Sequence, residues 1–183
     1  KYLVLPPTAD AKDFLELKKL AYEKGVEVLG MERGSAVTDG KAALTCLAPD
    51  GDHLTGERNE DSMVLMLSYG KFRMLFTGGL ENEAEKRLAQ SEIDLSADVL
   101  KVGHHGSAGA SSEVFLDRVN PKISVISCGK NNRYGHPAKE TLKRLYRNKS
   151  AVFQTPECGA VTICSDGESF TGHTFVQTIV LKN

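Results

Sequence analysis

Gly103-His104-His105-Gly106-Ser107 sets two imidazoles side by side between glycines. A neutral imidazole nitrogen is a good ligand for a metal such as zinc, and small neighbours let backbone and substrate approach closely. Two rings cannot complete a zinc site by themselves, so the spacing alone equally admits a solvated His-His loop. A second polar stretch, Gly129-Lys130-Asn131-Asn132-Arg133-Tyr134-Gly135-His136-Pro137, adds a third histidine with a lysine and neutral donors, groups that suit phosphate charge. Taken singly, His136 also fits a helix cap or a satisfied core side chain. Thr77-Gly78-Gly79 is the third candidate loop. The two remaining histidines, His53 and His173, lie in polar stretches and read as ordinary surface residues.

Each of these loops follows an apolar run, and sheet-based folds present their ligands at such strand ends. The elements that must position them can be read in order. Residues 2–5 form a short strand stopped by Pro6-Pro7. Asp10 then caps a helix whose apolar positions Phe14, Leu17 and Ala21 recur at helical spacing as far as Gly25. A strand follows at 26–29, and Asp39-Gly40 is a tight-turn dipeptide joining two further strands. Strands at 62–68 and 72–76 meet around Gly70. Helical spacing then appears over 80–89, where Glu81, Glu83 and Glu85 sit near the positive end of the helix dipole. Thereafter strands at 98–102 and 123–127 alternate with helices at 112–119 and 137–147, the last with proline in its first turn. Strands at 151–154, 160–164 and 175–181 close the chain. The expected class is α/β, a mixed sheet with helices packed on it.

The chain of 183 residues fits one compact unit, and 40% apolar with 26% charged residues is ordinary globular composition. No apolar run is long enough to cross a bilayer, and no charged leader opens the sequence at Lys1. The net charge of −1 argues against broad phosphate neutralisation, so any contact with DNA has to be local. Cys46, Cys128, Cys158 and Cys164 form no CxxC pair and read as unpaired thiols, with one disulfide as the alternative.

Four motifs in sequence carry a resemblance. They are Asn59-Glu60-Asp61-Ser62-Met63-Val64-Leu65, Leu75-Phe76-Thr77-Gly78-Gly79-Leu80-Glu81, 98–107 with its two histidines, and 127–137 ending in Gly135-His136-Pro137. Together they resemble the back half of the metallo-β-lactamase-type domain of ComEC-family DNA-uptake proteins. The resemblance implies that residues 1–183 are one partial domain, the C-terminal portion of an αβ/βα sandwich. The front half, with its HxHxDH-like or HxDxDH-like metal motif, would then lie before Lys1. It also implies two metal ions, usually zinc, that activate a water against a phosphodiester.

Carried over position by position, His104 or His105 matches the late metal ligand, and which of the two it is stays open. Ser107, Lys130, Asn131 and His136 match substrate-side groups. Gly79 departs from the pattern, because the family writes Thr-Gly-Asp there and uses the aspartate to bridge the metals. Two divalent ions about 3.5 to 4 Å apart repel by roughly 15 to 20 kcal/mol at an effective dielectric near 20, so losing an anionic bridge matters.

The resemblance therefore implies a hydrolase-like, nuclease or phosphodiesterase type of domain with an impaired metal site. It would be inactive alone and would belong to a larger membrane protein, facing outward from the cell membrane. Its partners would be DNA, the membrane channel region of the same parent and, through uncovered apolar surface, a second copy. Two alternatives are a non-catalytic module that binds or guides DNA and a free-standing metallo-hydrolase of the same superfamily.

Overall fold

The computed structural model describes residues 1–7, 14–51, 54–56, 59–175 and 178–179. Asp10, His53 and the end of the expected last strand lie outside them.

Strands β1 (Tyr2–Leu5) and β2 (Glu27–Gly30) pair in parallel across the helix α1 (Leu15–Glu23), giving the expected β-α-β unit. They form a separate two-stranded sheet and do not join the main one. Only Ala21 of α1 is buried, while Leu15, Leu17, Leu20 and Tyr22 stay exposed.

The main sheet has seven strands in chain order: β3 (Ala36–Asp39), β4 (Ala42–Ala48), β5 (Val64–Tyr69), β6 (Phe72–Phe76), β7 (Val99–Lys101), β8 (Ile123–Ile126) and β9 (Ala151–Gln154). Pairing is antiparallel from β3 to β6 and parallel from β6 to β9. Parallel neighbours need crossovers. These are α2 (Asn82–Gln90), α3 (Glu113–Val119) and α4 (Lys139–Arg147). A short helical turn, α5 (Thr155–Cys158), leads to the hairpin of β10 (Val161–Ser165) and β11 (Phe170–Thr174), and β12 (Thr178–Ile179) pairs with β11.

Both faces of the central strands are covered, which is why they read as unbroken apolar runs. Leu75, Leu100, Val102 and Ile126 point into a core shared with Leu80, Leu88, Phe115, Leu116 and Leu145 from the helical segments. Their sequence neighbours Val99, Ile123 and Val125 take the opposite face, against Phe72, Phe153 and Phe170. Each such side chain contributes about 1.5–3 kcal/mol on burial. The helices are tied together at their ends: Arg118 of α3 donates to the carbonyls of Ala89, Ser91 and Ile93 that follow or close α2. The Ala89 carbonyl is among the groups a helix C-terminus leaves without intrahelical partners.

Several local expectations shift. α2 begins after Glu81 instead of at Leu80, so Glu81 flanks the helix and its side chain is released for other contacts. α4 begins at Lys139 with Ala138 as its cap, which leaves Pro137 outside the helix. His173 is in β11, not in a loop. The strand expected at 175–181 is preceded by β11, whose Phe170-Thr-Gly-His-Thr sequence is too polar to show a clean alternation. All four cysteines are free thiols.

Beside the start of β7, Ser96 donates twice to Asp94, by its hydroxyl at 2.7 Å and its backbone at 3.0 Å, and Arg73 pairs with the same carboxylate. The Ser96 bonds and then Arg73 hold the carboxyl at about 2. A depressed carboxylate contributes stability above its unfolded value near 3.9 and loses it as pH falls towards about 2. Asp94→Asn should therefore flatten the acid limb of a urea-unfolding series between about pH 4 and pH 2. Because the side chain is mostly exposed, the change should amount to about 1 kcal/mol at most. An acid limb of unchanged slope would refute the assignment.

Candidate functional site

The three polar loops follow β6, β7 and β8, so all stand at the carboxyl ends of neighbouring parallel strands. Backbone bonds join them. His104 N donates to Gly78 O at 2.9 Å and Ala138 N to Gly106 O at 2.8 Å, while the Thr141 hydroxyl donates to Ser107 O at 2.6 Å. At Gly106 the backbone is left-handed (φ +82°), and an added Cβ would lie 2.8 Å from Pro137 Cβ. Glycine is thus required for the close packing of the second loop on the third.

His104 and His105 form a tight turn with two successive left-handed residues, at φ 43° and 56°. Such a conformation costs about 1–2 kcal/mol for each non-glycine residue and persists only where the surroundings impose it. Here they do. His105 Nδ1 lies 2.6 Å from Ser127 O, and because a carbonyl only accepts, Nδ1 carries the proton. His104 Nδ1 lies 3.0 Å from Glu81 Oε1 and donates to it in the same way. In the neutral rings, both Nε2 atoms then carry the lone pair.

Glu81 is the residue that sequence reasoning missed, having placed it only near a helix dipole. Its other oxygen accepts the Ser107 hydroxyl at 2.5 Å, and Asn59 Nδ2 approaches Oε1 at 3.3 Å. Burial pushes this carboxyl up, but the bonds from Ser107, His104 and Asn59 outweigh it and hold Glu81 below the usual range. The acidic side chain just ahead of α2, in a loop already carrying Thr-Gly-Gly, was the signal available in the sequence. Ser107 is buried, with its donor given to Glu81 and not presented outward.

His136 closes the group, its ring centroid 5.7 Å from that of His104. Burial, then the facing His104 and His105, lower its pKa and favour the neutral ring. The pocket beside it, of about 330 Å³, is lined by His105, Cys128, Asn132, Tyr134 and His136 among others. Two other clefts, one of about 200 Å³ near Arg33 and Arg87 and one of about 500 Å³ between α3 and α4, hold no histidine or cysteine. Lys130 and Asn131 are exposed in the third loop and do not line the histidine pocket. Asn132 lines it instead. Its amide also organises the loop, donating to Gly129 O at 2.8 Å and His136 O at 2.6 Å and accepting from His136 N at 2.9 Å.

Gly79 occupies the end of the first loop. Its N–H donates to Ser62 Oγ at 3.0 Å, and a Cβ built there would lie 2.9 Å from Asn59 Oδ1 and 3.1 Å from Ser62 Oγ. The space that an aspartate would enter is thus bordered by an amide and a hydroxyl. Among the described residues, no three His, Cys, Asp or Glu side chains are grouped to hold a metal ion. The two histidines with available Nε2 atoms could supply two ligands at most, and this chain's described residues do not fit a two-metal centre.

Comparison with known proteins then places the chain. It is 36% identical over 163 residues to ComE operon protein 3 of Bacillus subtilis, covering 88% of this chain and 21% of that protein. Recombination protein 2 of Haemophilus influenzae is 37% identical over 110 residues, 60% of this chain and 14% of that one. Competence protein ComA of Neisseria gonorrhoeae is 36% identical over 104 residues, 56% of this chain and 15% of that one. The chain is homologous to one segment of ComEC-family proteins. It spans about a fifth of the length of the Bacillus relative and less of the other two. No protein-family model matches it.

Among solved structures, CmlA, a diiron β-hydroxylase from Streptomyces venezuelae, is similar at TM-score 0.52 and 14% identity, over 75% of this chain and 34% of that one, a likeness of fold. The metallo-β-lactamase fold protein YhfI from Bacillus subtilis is similar at TM-score 0.47 and 12% identity, over 82% of this chain and 62% of that one. The chain thus has an α/β architecture, a mixed sheet with helices packed on it, and shares its fold with CmlA. No described helix is long and apolar enough to cross a membrane.

Proposed function

We propose that this ComEC-type chain is the substrate-side portion of a hydrolase-like domain that handles DNA during uptake, and that its metal site is impaired. The observation that carries the impairment is Gly79, whose missing side chain leaves no bridging carboxylate and whose surroundings are Asn59 and Ser62. In this reading the preceding part of a larger membrane-bound parent completes the domain and holds it on the outer face of the membrane. Phosphodiester chemistry requires charge stabilisation at the reacting oxygens. The bonds among Glu81, His104 and Ser107 supply orientation for His104, as carboxylate partners of metal-binding histidines do elsewhere, but no complete ligand set.

A second reading has its own support. The exposed Lys130 and Arg133 sit in a loop held in shape by Asn132, which suits a module that guides a strand without cutting it. Cells carrying the intact parent test the proposal when compared with cells whose parent lacks residues 1–183. Labelled duplex DNA should be taken up and converted to single strands by the former, and uptake or conversion should fail in the latter. Unchanged uptake and conversion would refute a role in DNA handling. Uptake that depends on the segment while conversion does not would favour the guiding module.

A further inference from the structure

Tyr134 is an exposed aromatic in a built setting. The residue is 66% exposed, yet the loop that carries it is fixed: the Asn132 side-chain oxygen Oδ1 accepts from Tyr134 N at 3.2 Å and from His136 N at 2.9 Å, and Gly135 supplies the left-handed turn between them (φ +69°). The ring lies 5.8 Å from His136, nearly parallel at 17°. On it rests the Arg133 guanidinium, with Cζ 4.9 Å from the ring centroid and one amino group donating to the Tyr134 hydroxyl at 2.7 Å. Guanidinium, phenol and imidazole thus make a tier of flat groups beside the pocket that Tyr134 and His136 help to line.

Neither of the two apolar cores includes this tyrosine. The ring is already flanked by Arg133 and His136, so a further flat group would extend this tier. The chemistry of the tier selects one. Flat π-systems stack on tyrosine and on guanidinium planes, and the cations of Arg133 and Lys130 attract an anionic backbone. A nucleotide of a single strand combines both features, whereas bases within a duplex are already stacked on one another and offer no free face. The chain's net charge of −1 leaves little attraction spread over the whole surface, so recognition has to concentrate where aromatic and basic groups coincide.

We propose that the Arg133–Tyr134 tier, with Tyr134 as its support, is a nucleobase-stacking platform for single-stranded DNA at the mouth of the His105–His136 pocket. The inference rests on the reading that the chain handles DNA, and it adds where and how one base is held. Stacking of this kind tolerates any base.

The test uses the intact parent protein and fluorescence anisotropy with two labelled strands of about twelve nucleotides, oligo-dT and an abasic strand of equal charge. The expected result is preference for oligo-dT. Tyr134→Ala should weaken oligo-dT binding by about 5- to 150-fold while leaving the abasic strand unchanged, and Tyr134→Phe should retain the wild-type preference. If Tyr134→Ala weakens both strands equally or neither, the platform is refuted while a DNA-handling role stands. If the wild-type protein binds neither strand, the DNA reading fails and the platform with it.

Discussion

Glu85→Ala should destabilise this chain by about 3–5 kcal/mol in urea unfolding at neutral pH. Glu85 is 2% exposed. From the first turn of α2 it accepts Ser111 N and, at 2.7 Å, Ser112 N, just where α3 begins. Arg144 of α4 grips the same segment from the other side, donating to the carbonyls of Ala108, Ala110 and Ser111. Removing the acid leaves two amides without their acceptor and a guanidinium without its counter-charge, each more costly than the bond that was lost. Glu85→Gln keeps an acceptor oxygen and should lose less.

The pH dependence gives a further check. Burial raises the Glu85 pKa, against the opposing bonds from Ser112 and Ser111 and the charge of Arg144. A carboxyl whose folded pKa is raised binds its proton more tightly in the native state. Its contribution is fully present below the unfolded value near 4.3 and diminishes as pH rises through the folded pKa. The Glu85→Ala deficit should thus be larger at about pH 4 than at pH 7. A deficit that grows with pH would show that Glu85 has no such shift.

This clamp also bears on the site, because the segment it holds continues directly from Ser107 and the histidine turn. Little of it was legible in the sequence. Glu81, Glu83 and Glu85 read alike as acids near a helix start, yet Glu85 is buried under α3, Glu81 reaches the histidines and Glu83 pairs at the surface with Lys86. Spacing assigns residues to a helix, but the point at which the helix begins decides which acid leaves it. The same holds for the neighbouring asparagines. Resemblance pointed to Asn131, while the chain direction after Gly129 turns Asn132 inward.

What the sequence did reveal follows from stronger constraints. Strands β6 to β8 are covered on both faces, so their apolar runs could not be mistaken for loops. The glycines around His104 and His105 marked a close approach, which the Gly106 contact with Pro137 accounts for. The strained left-handed backbone of the two histidines was not visible, since no residue type at those positions requires it.

Gly79→Asp carries the second large expected effect. The new Cβ would meet the end of the Asn59 side chain, which can rotate away, and would crowd Ser62 Oγ, so the substitution should be accepted with a modest loss of stability. Its electrostatic consequence is greater. A carboxylate at this position offers two divalent ions a shared counter-charge against a repulsion of roughly 15 to 20 kcal/mol at an effective dielectric near 20. Asn59 and Ser62, both neutral, cannot substitute for it.

The decisive measurement is metal content together with metal-dependent DNA hydrolysis, for the intact parent and its Gly79→Asp version purified side by side with zinc or manganese supplied. The expected result is fewer than two tightly held ions and little hydrolysis in the unaltered protein, with both rising in Gly79→Asp. Two tightly bound ions and vigorous hydrolysis in the unaltered protein would contradict it.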